Sequence, residues 1–396
     1  MTRLPRIGFA WTQFGPYHAD RLTALAQRFA GRADLLAVEV ADASHTYAWP
    51  PVAELGGVPR RTLFPGRRVE DIGPLRTLFG LFAALRRCDY VFLGIGYGEL
   101  PGALLPWLLR LCGMKTVLMF DSKHDDSPRR WPLETLKRVL VWPHRAAIVG
   151  GRRHIAYARS LGFRRRPVLP GCDVVSLDRI RAEAGAPGEH AAVPFARRPF
   201  VFVGRFVDKK NVLRLIDAYG LYRQAAGPAA RRLTLVGAGA LEATMRQRID
   251  RLGIADMVDF TGFLDSPGVS RTLGASLALI LPSTCEQWGL VVNEALALRL
   301  PVIVSQFVGA RDLLVRQPHS GLVVDAYSVE AIAAAMAYVA ADEARWESMR
   351  CAAHALAWRG DCGRLVDAVE DLVCGPDNPP RGMIAALDEA VREPFD

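Results

Sequence analysis

Strand-like apolar runs alternate with helical segments along this chain, and the alternation starts twice. In the first half RIGFAWT, DLLAVEVA, YVFLGI, TVLMF and RAAIVG read as strands. Helical stretches fall between them, from Tyr17 to Arg28 and near Pro74 to Arg87, Leu100 to Leu111 and Leu133 to Val141, with a Pro- and Gly-rich stretch before Pro74. β and α elements at this spacing predict a parallel sheet covered on both faces. Residues 181–198, RAEAGAPGEHAAVPFARR, are rich in Ala, Gly and Pro and read as a linker. The pattern restarts at Pro199 and runs to about Val373. The fold class is therefore α/β, with two Rossmann-like parallel-sheet domains over residues 1–180 and 199–375. Ligands of open parallel sheets gather beyond the carboxyl ends of the strands, so the expected site lies in a cleft where the two domains face each other. After Gly375, PDNPPRG reads as a break and MIAALDEAVRE as a helix, giving a tail over residues 376–396.

The length of 396 residues suits two domains that each bury a core. No apolar stretch approaches the roughly 18 residues of a membrane span; the longest, GALLPWLLRLCG, is cut by Pro106 and Arg110. The opening MTRLPRIGFAW has no signal-peptide hydrophobic region and reads as the first strand itself. Seven cysteines are scattered without metal spacing, which points to free thiols in the cytoplasm. Charge is uneven: residues 1–198 hold 30 Lys and Arg against 17 Asp and Glu, residues 199–396 hold 20 against 24. The basic first half predicts an anionic partner. No zinc finger, helix-turn-helix or RNA-recognition signature is present, so nucleic acid is not expected. A membrane surface or a phosphate-bearing acceptor fits, against the plainer reading of arginine as a default surface cation.

The segment PSTCEQWGLVVNEALA, from Pro282 to Ala297, sets Glu286 and Glu294 around Gly289. The run SLALILP before it reads as a buried strand and the residues from Gly289 to Leu298 as a helix. Glu286 then lies on a strand-to-helix loop and Glu294 in the first turns of the helix. A glycine-opened helix N-terminus offers free N–H groups and positive partial charge to a phosphate. A carboxylate on each side suits a ligand with hydroxyls on either side of a phosphate, the layout of a nucleotide sugar. Cys285 has no histidine motif beside it and reads as filler.

This segment resembles the E-x7-E signature of the retaining glycosyltransferases of glycosyltransferase family 4, which have the GT-B fold. Two upstream stretches match in the same order. VFVGRFVDKKN, Val201 to Asn211, resembles the family's strand, G-R-[LF] and following lysine; LTLVGAGALEATMRQRIDRLGIADMVDFTGF, Leu233 to Phe263, resembles its next strand, helix and strand. The resemblance is specific from about Phe200 to Val324, and it implies that the tail helix at 376–396 crosses back to the first domain. It implies a hexosyltransferase that uses a UDP- or GDP-linked sugar as substrate, with no bound cofactor and no metal. The acceptor it implies is a glycan or a lipid-linked molecule of cell-surface polysaccharide or lipopolysaccharide synthesis. Arg205 and Lys210 would neutralise the departing diphosphate. Glu286 would hold sugar hydroxyls, and Glu294 the ribose hydroxyls. Gly289, Leu290 and Val291 would add N–H groups to the phosphate site, with Gly204 and Gly237 in the neighbouring loops. Gln287 and Trp288 stand where the family often has glycine, an arrangement expected to narrow the sugar pocket. Where the family often pairs two glycines after the next strand, FVGARDLL has Gly309 alone.

The first domain offers acceptor-side candidates. FGPYHAD puts Gly15 and Pro16 in the loop after the first strand, where backbone can approach the donor phosphate, with His18 opening the next helix. FDSKHDD follows the strand TVLMF and brings Asp121 and His124 to the expected cleft; it lacks a D-x-D metal pattern. Each histidine has a plainer reading as a solvated or capping residue. SPRRWPLETLKRVLVWPHR, Ser127 to Arg145, interleaves Trp and Leu with Arg and Lys, as a helix lying on the inner face of the plasma membrane would. The alternative is a helix that packs its leucines on the sheet. Two other functions stand beside the transferase: a catalytically silent GT-B scaffold, and another GT-B enzyme such as a phosphorylase or epimerase.

Overall fold

The computed structural model describes residues 3–45, 52, 54–185 and 193–375. The chain forms two compact units, Met1–Val175 with Cys362–Asp396, and Ser176–Asp361.

The first unit holds a seven-stranded sheet of β1 (Arg6–Trp11), β2 (Asp34–Ala43), β3 (Arg60–Arg68), β4 (Tyr90–Leu93), β5 (Lys115–Phe120), β6 (Ala146–Val149) and β7 (Val168–Pro170). Its order is β3-β2-β1-β4-β5-β6-β7, and every pairing is parallel. Successive strand residues serve opposite faces. Phe9, Val117 and Met119 join a core with Leu22, Leu25 and Phe29 of the helix Pro16–Phe29. Ala10, Val91 and Leu93 join another core with Leu81 and Leu105, from the helices Pro74–Leu85 and Leu100–Leu111. Strand β3 lies inside the stretch that reads as Pro- and Gly-rich. It is an exposed edge strand, where a proline costs no ladder bond. Pro65 and Gly66 sit at the register shift between the pairs Ala41–Phe64 and Ala43–Arg68.

The second unit holds β8 (Phe200–Val203), β9 (Leu233–Val236), β10 (Val258–Gly262), β11 (Ala278–Leu281), β12 (Val302–Ser305) and β13 (Gly321–Val324). They form a parallel sheet in the order β10-β9-β8-β11-β12-β13. β8 and β11 are neighbours although the chain visits β9 and β10 between them. The winding reverses there, and this reversal is the switch point at which parallel sheets bind ligands.

The unit boundaries differ from those read in composition. The change of unit comes at Val175 and Ser176, upstream of residues 181–198. The helix Leu177–Ala184 runs into that stretch and packs in the second unit, where Arg179 donates to Ser266 Oγ (2.7 Å) and Arg181 Nε to the Ala297 carbonyl (3.2 Å). Alanine-rich sequence is helix-forming as readily as linking. The helix Gly363–Cys374, read with the second domain, belongs to the first unit. Its Leu365, Val366 and Val369 enter the core beneath the helix Pro16–Phe29, and Glu370 binds Arg28 (2.6 Å) and Arg32 (2.7 Å). The tail helix read at 376–396 lies outside the described residues, as do residues 186–192 of the expected linker.

Candidate active site

The loops that leave β8 and β11 carry the two halves of the candidate donor site. After β8 the chain forms a single 3-10 turn, Asp208–Lys210, and closes it on Asn211 in the left-handed region (φ 59°). Asparagine tolerates that conformation better than most residues. Its side-chain amide donates to the carbonyls of Pro282 (3.0 Å) and Ala326 (2.7 Å), and Thr284 N donates to Lys209 O (2.9 Å). Three loops at the carboxyl ends of β8, β11 and β13 are thereby fastened together. The ammonium of Lys210 consequently meets Glu286 in an ion pair. Ser283 Oγ donates to the same carboxylate oxygen (3.0 Å). Glu286 is buried, and its main chain bridges Val308 beyond β12, with Gly309 N donating to Glu286 O (3.2 Å).

Gly289 caps the helix Leu290–Ala297 at φ 99°. A Cβ there would stand 3.0 Å from Leu281 and 3.4 Å from Glu286 Cγ, so conformation and space both call for glycine. The first-turn N–H groups, those of Leu290 and Val291 included, have no acceptor within the helix. Glu294 lies in the second turn and is buried. Trp288 does not act as the sequence suggests. It is buried, and its indole N–H donates to Asn293 Oδ1 (2.9 Å), so its bulk fills the unit's interior. On the β8 loop Arg205 is exposed, and its guanidinium bonds to none of the described residues. Gly237, in the turn after β9, has φ 132°, and a Cβ on it would lie 2.0 Å from the Gly204 carbonyl. The VGAG turn therefore serves close backbone packing against the β8 loop, which Phe206 N→Ala238 O (2.9 Å) continues.

In the first unit the candidates do not gather in one group. Gly15 caps the helix Pro16–Phe29, and its N–H donates to His18 Nδ1 (3.0 Å). Phe14 N donates to the buried Glu39 (2.8 Å). The loop thus spends the N–H groups of Phe14 and Gly15 internally, Pro16 has none, and the expected backbone donors to a phosphate are absent at those positions. Burial, then Arg21, hold the His18 imidazole well below its ordinary pKa. It is neutral near pH 7, and because Nδ1 accepts, the ring proton is on Nε2. The same device recurs after β6, where Gly151 N donates to His154 Nδ1 (3.0 Å) at the start of the helix Arg152–Ser160. The repeated G-x-x-H of GPYH and GRRH was the available signal for this capping role.

His124 is exposed with its ring edge toward Tyr157. The carboxylates beside it are committed to the fully buried Lys123, which binds Asp126 (2.7 Å) and Asp125 (3.3 Å). Asp121 is exposed at the end of β5 and acts electrostatically on Asp173. Burial first, then the charge of Asp121, push the Asp173 carboxyl up to about 7, against the opposing pull of Arg21. Sequence reading missed Asn211, Ser283, Glu39, Lys123 and Asp173, whose partners are distant in the chain or hidden in ordinary loops. No group of three or more metal-ligating side chains occurs among the described residues.

Residues 194–355 match the family model described as Glycosyl transferases group 1. The chain is 28% identical over 299 residues to the GDP-mannose-dependent alpha-(1-6)-phosphatidylinositol monomannoside mannosyltransferase of Mycobacterium tuberculosis, covering 70% of this chain and 74% of that one. It is 29% identical over 194 residues to the D-inositol 3-phosphate glycosyltransferase of Jonesia denitrificans, 47% of this chain and 45% of the relative. Among solved structures, Anabaena Alr3699/HepE in complex with UDP and glucose superposes with a TM-score of 0.72 at 18% identity, covering 93% of this chain and 99% of that one. The sucrose-phosphate synthase of Thermosynechococcus elongatus gives 0.69 at 18% identity, covering 96% and 100%. At such identities the structural likeness bears on the fold, which is GT-B, and the sequence relatives bear on the activity. The chain is a glycosyltransferase of GT-B fold.

Proposed function

We propose that this enzyme moves a hexose from a nucleotide-sugar donor to a glycan or lipid-linked acceptor with retention of anomeric configuration, at the cytoplasmic side of cell-surface glycan synthesis. The observation that carries the reading is the Lys210–Glu286 ion pair, set on adjacent strand ends at the switch point beside the Gly289-led helix. An ammonium has three donors. With one on Glu286, two remain for diphosphate oxygens, while the second oxygen of Glu286 can accept from sugar hydroxyls. Arg205, exposed on the same loop as Lys210, adds a planar cation for charge that grows on the leaving oxygen. Leu290 and Val291 supply first-turn N–H groups to phosphate, and Glu294 is assigned to the ribose. The departing phosphate takes the acceptor proton on the face from which it leaves, so no carboxylate base is required. The M. tuberculosis relative is named for GDP-mannose and a phosphatidylinositol glycoside, and the Anabaena structure holds UDP. These names support a nucleoside-diphosphate sugar as donor and a lipid-linked acceptor.

Glu286→Gln and Lys210→Ala are expected to keep the wild-type melting temperature within a few degrees and to lose at least about a hundredfold in turnover. The assay is transfer from a panel of UDP- and GDP-sugars, with proton NMR of the first product formed. Near wild-type turnover in either folded variant removes the donor-site assignment, and an inverted anomeric centre overturns the retaining mechanism.

A further inference from the structure

The helix Trp131–Val141 faces the wrong way for a helix that covers a sheet. Val141 is its one fully buried residue. Its inward contacts are polar instead: Lys137 Nζ donates to Glu134 Oε1 (2.7 Å), the Tyr157 hydroxyl to Glu134 Oε2 (3.0 Å), and Arg129 Nη1 to the Tyr157 hydroxyl (2.9 Å). The apolar side chains point outward. Leu133, Leu136, Val139 and Trp142 follow at three-residue spacing, a ridge that winds across the outer side of the helix, and are each more than half exposed, and Trp131 is 77% exposed. Leu133 and Leu136 are therefore not packed on the sheet.

The ridge continues onto the neighbouring helices. Leu100–Leu111 packs beside both Pro74–Leu85 and Trp131–Val141. Trp107 stacks on Trp142 with ring centroids 5.3 Å apart, and Arg110 lies over the same ring at 4.6 Å. Among the described residues of the first unit, every exposed large hydrophobic side chain except Leu4 sits on these three helices or on the residue that ends one of them. Arg130, Arg138 and Arg145, on and beside the helix Trp131–Val141, are exposed as well.

We infer that this three-helix layer is a docking face for a membrane surface rich in anionic lipid. Trp and Leu supply area for the acyl boundary, Trp settles at headgroup level, and arginines meet the anionic headgroups. Contiguous apolar patches of this kind mark interaction sites. A second copy of the chain is the poorer occupant, because a two-fold contact would set these arginines against their own symmetry mates. The inference does not rest on the donor reading, since vesicle binding is measured without turnover.

The test is co-sedimentation of the full chain with phosphatidylcholine vesicles, with and without phosphatidylglycerol, at low and high salt. Binding is expected on the phosphatidylglycerol vesicles and is weakened by salt. Leu133→Ser with Leu136→Ser should weaken it by about tenfold or more, with an unchanged circular dichroism spectrum and melting temperature because both side chains are exposed. Arg130→Glu with Arg138→Glu should remove the preference for phosphatidylglycerol. Absence of binding, binding indifferent to lipid charge and salt, or unchanged binding in the serine variant overturns the inference. So does a concentration-dependent dimer that the serine substitutions dissolve.

Discussion

Two buried ionisable residues of the first unit pull stability in opposite directions with pH. His144 is enclosed, neither ring nitrogen has a hydrogen-bond partner among the described residues, and burial with Arg166 nearby lowers its pKa to about 3. The unfolded state, with an ordinary imidazole near 6.5, binds the proton first as pH falls. The stability contributed by neutral His144 is whole above about pH 6.5 and is lost as pH falls toward 3. Asp173 has the reverse sign. Its folded pKa of about 7 lies above the ordinary 3.8, so its contribution is whole below pH 3.8 and is lost as pH rises toward 7. His144→Leu should therefore flatten the acid limb between pH 6.5 and 4, where each titrating group changes stability by at most about 1.4 kcal/mol per pH unit. Asp173→Asn should gain on wild type at pH 8 and not at pH 4. Urea unfolding across pH measures both, and parallel pH profiles for wild type and either variant would refute that residue's part.

At the scale of elements, one side chain joins three loops of the second unit. Asn211 closes the turn after β8 and donates to carbonyls of the loops after β11 and β13. Asn211→Ala leaves two carbonyls without their donor and puts alanine, which tolerates the left-handed region less well than asparagine, at that position, a cost of about 2–3 kcal/mol. Asn211→Gly should recover the backbone part alone. Because Lys210 precedes this residue, Asn211→Ala is also expected to lower turnover beyond its effect on stability. Urea titration and the transfer assay together check the point, and an Asn211→Ala protein as stable as Asn211→Gly would show that the backbone conformation carries no cost. The helix Trp131–Val141 teaches a related lesson. Its alternation of leucine and cation fits two orientations, and the inward network around Tyr157 selects the one with Leu133 and Leu136 outside.

For the whole molecule, the consequential feature is that the first unit is discontinuous. The chain passes out of it at Val175 and returns at Cys362. The returning helix buries Leu365, Val366, Ala368 and Val369 almost completely and ties Glu370 to Arg28 and Arg32. Burying the three larger side chains is worth on the order of 5 kcal/mol, comparable to the net stability of a domain. A fragment of residues 176–361 should unfold cooperatively by itself. A fragment of residues 1–175 should not, until a peptide of residues 362–375 is added. Circular dichroism during urea titration of the separate fragments tests this, and a cooperative transition in residues 1–175 alone would contradict it. No helix among the described residues is long and apolar enough to cross a membrane.

The sequence by itself determined the doubled βα pattern, because the strands that lie inside the sheets are short apolar runs with turn residues between them. It also determined the loop placement of Glu286 and the helix that starts after Gly289, because a left-handed glycine after a buried strand leaves few alternatives. It did not show β3, since an edge strand need not be apolar and here carries arginines and a proline. It did not show that Trp288 turns inward, since that follows from packing geometry. Lys210 and Glu286 are far apart along the chain, and only the crossing that makes β8 and β11 neighbours brings their charges together. Local chemistry fixes which turn or helix a segment forms. Which segments meet, and which side of a helix faces water, is decided by burial summed over the whole fold.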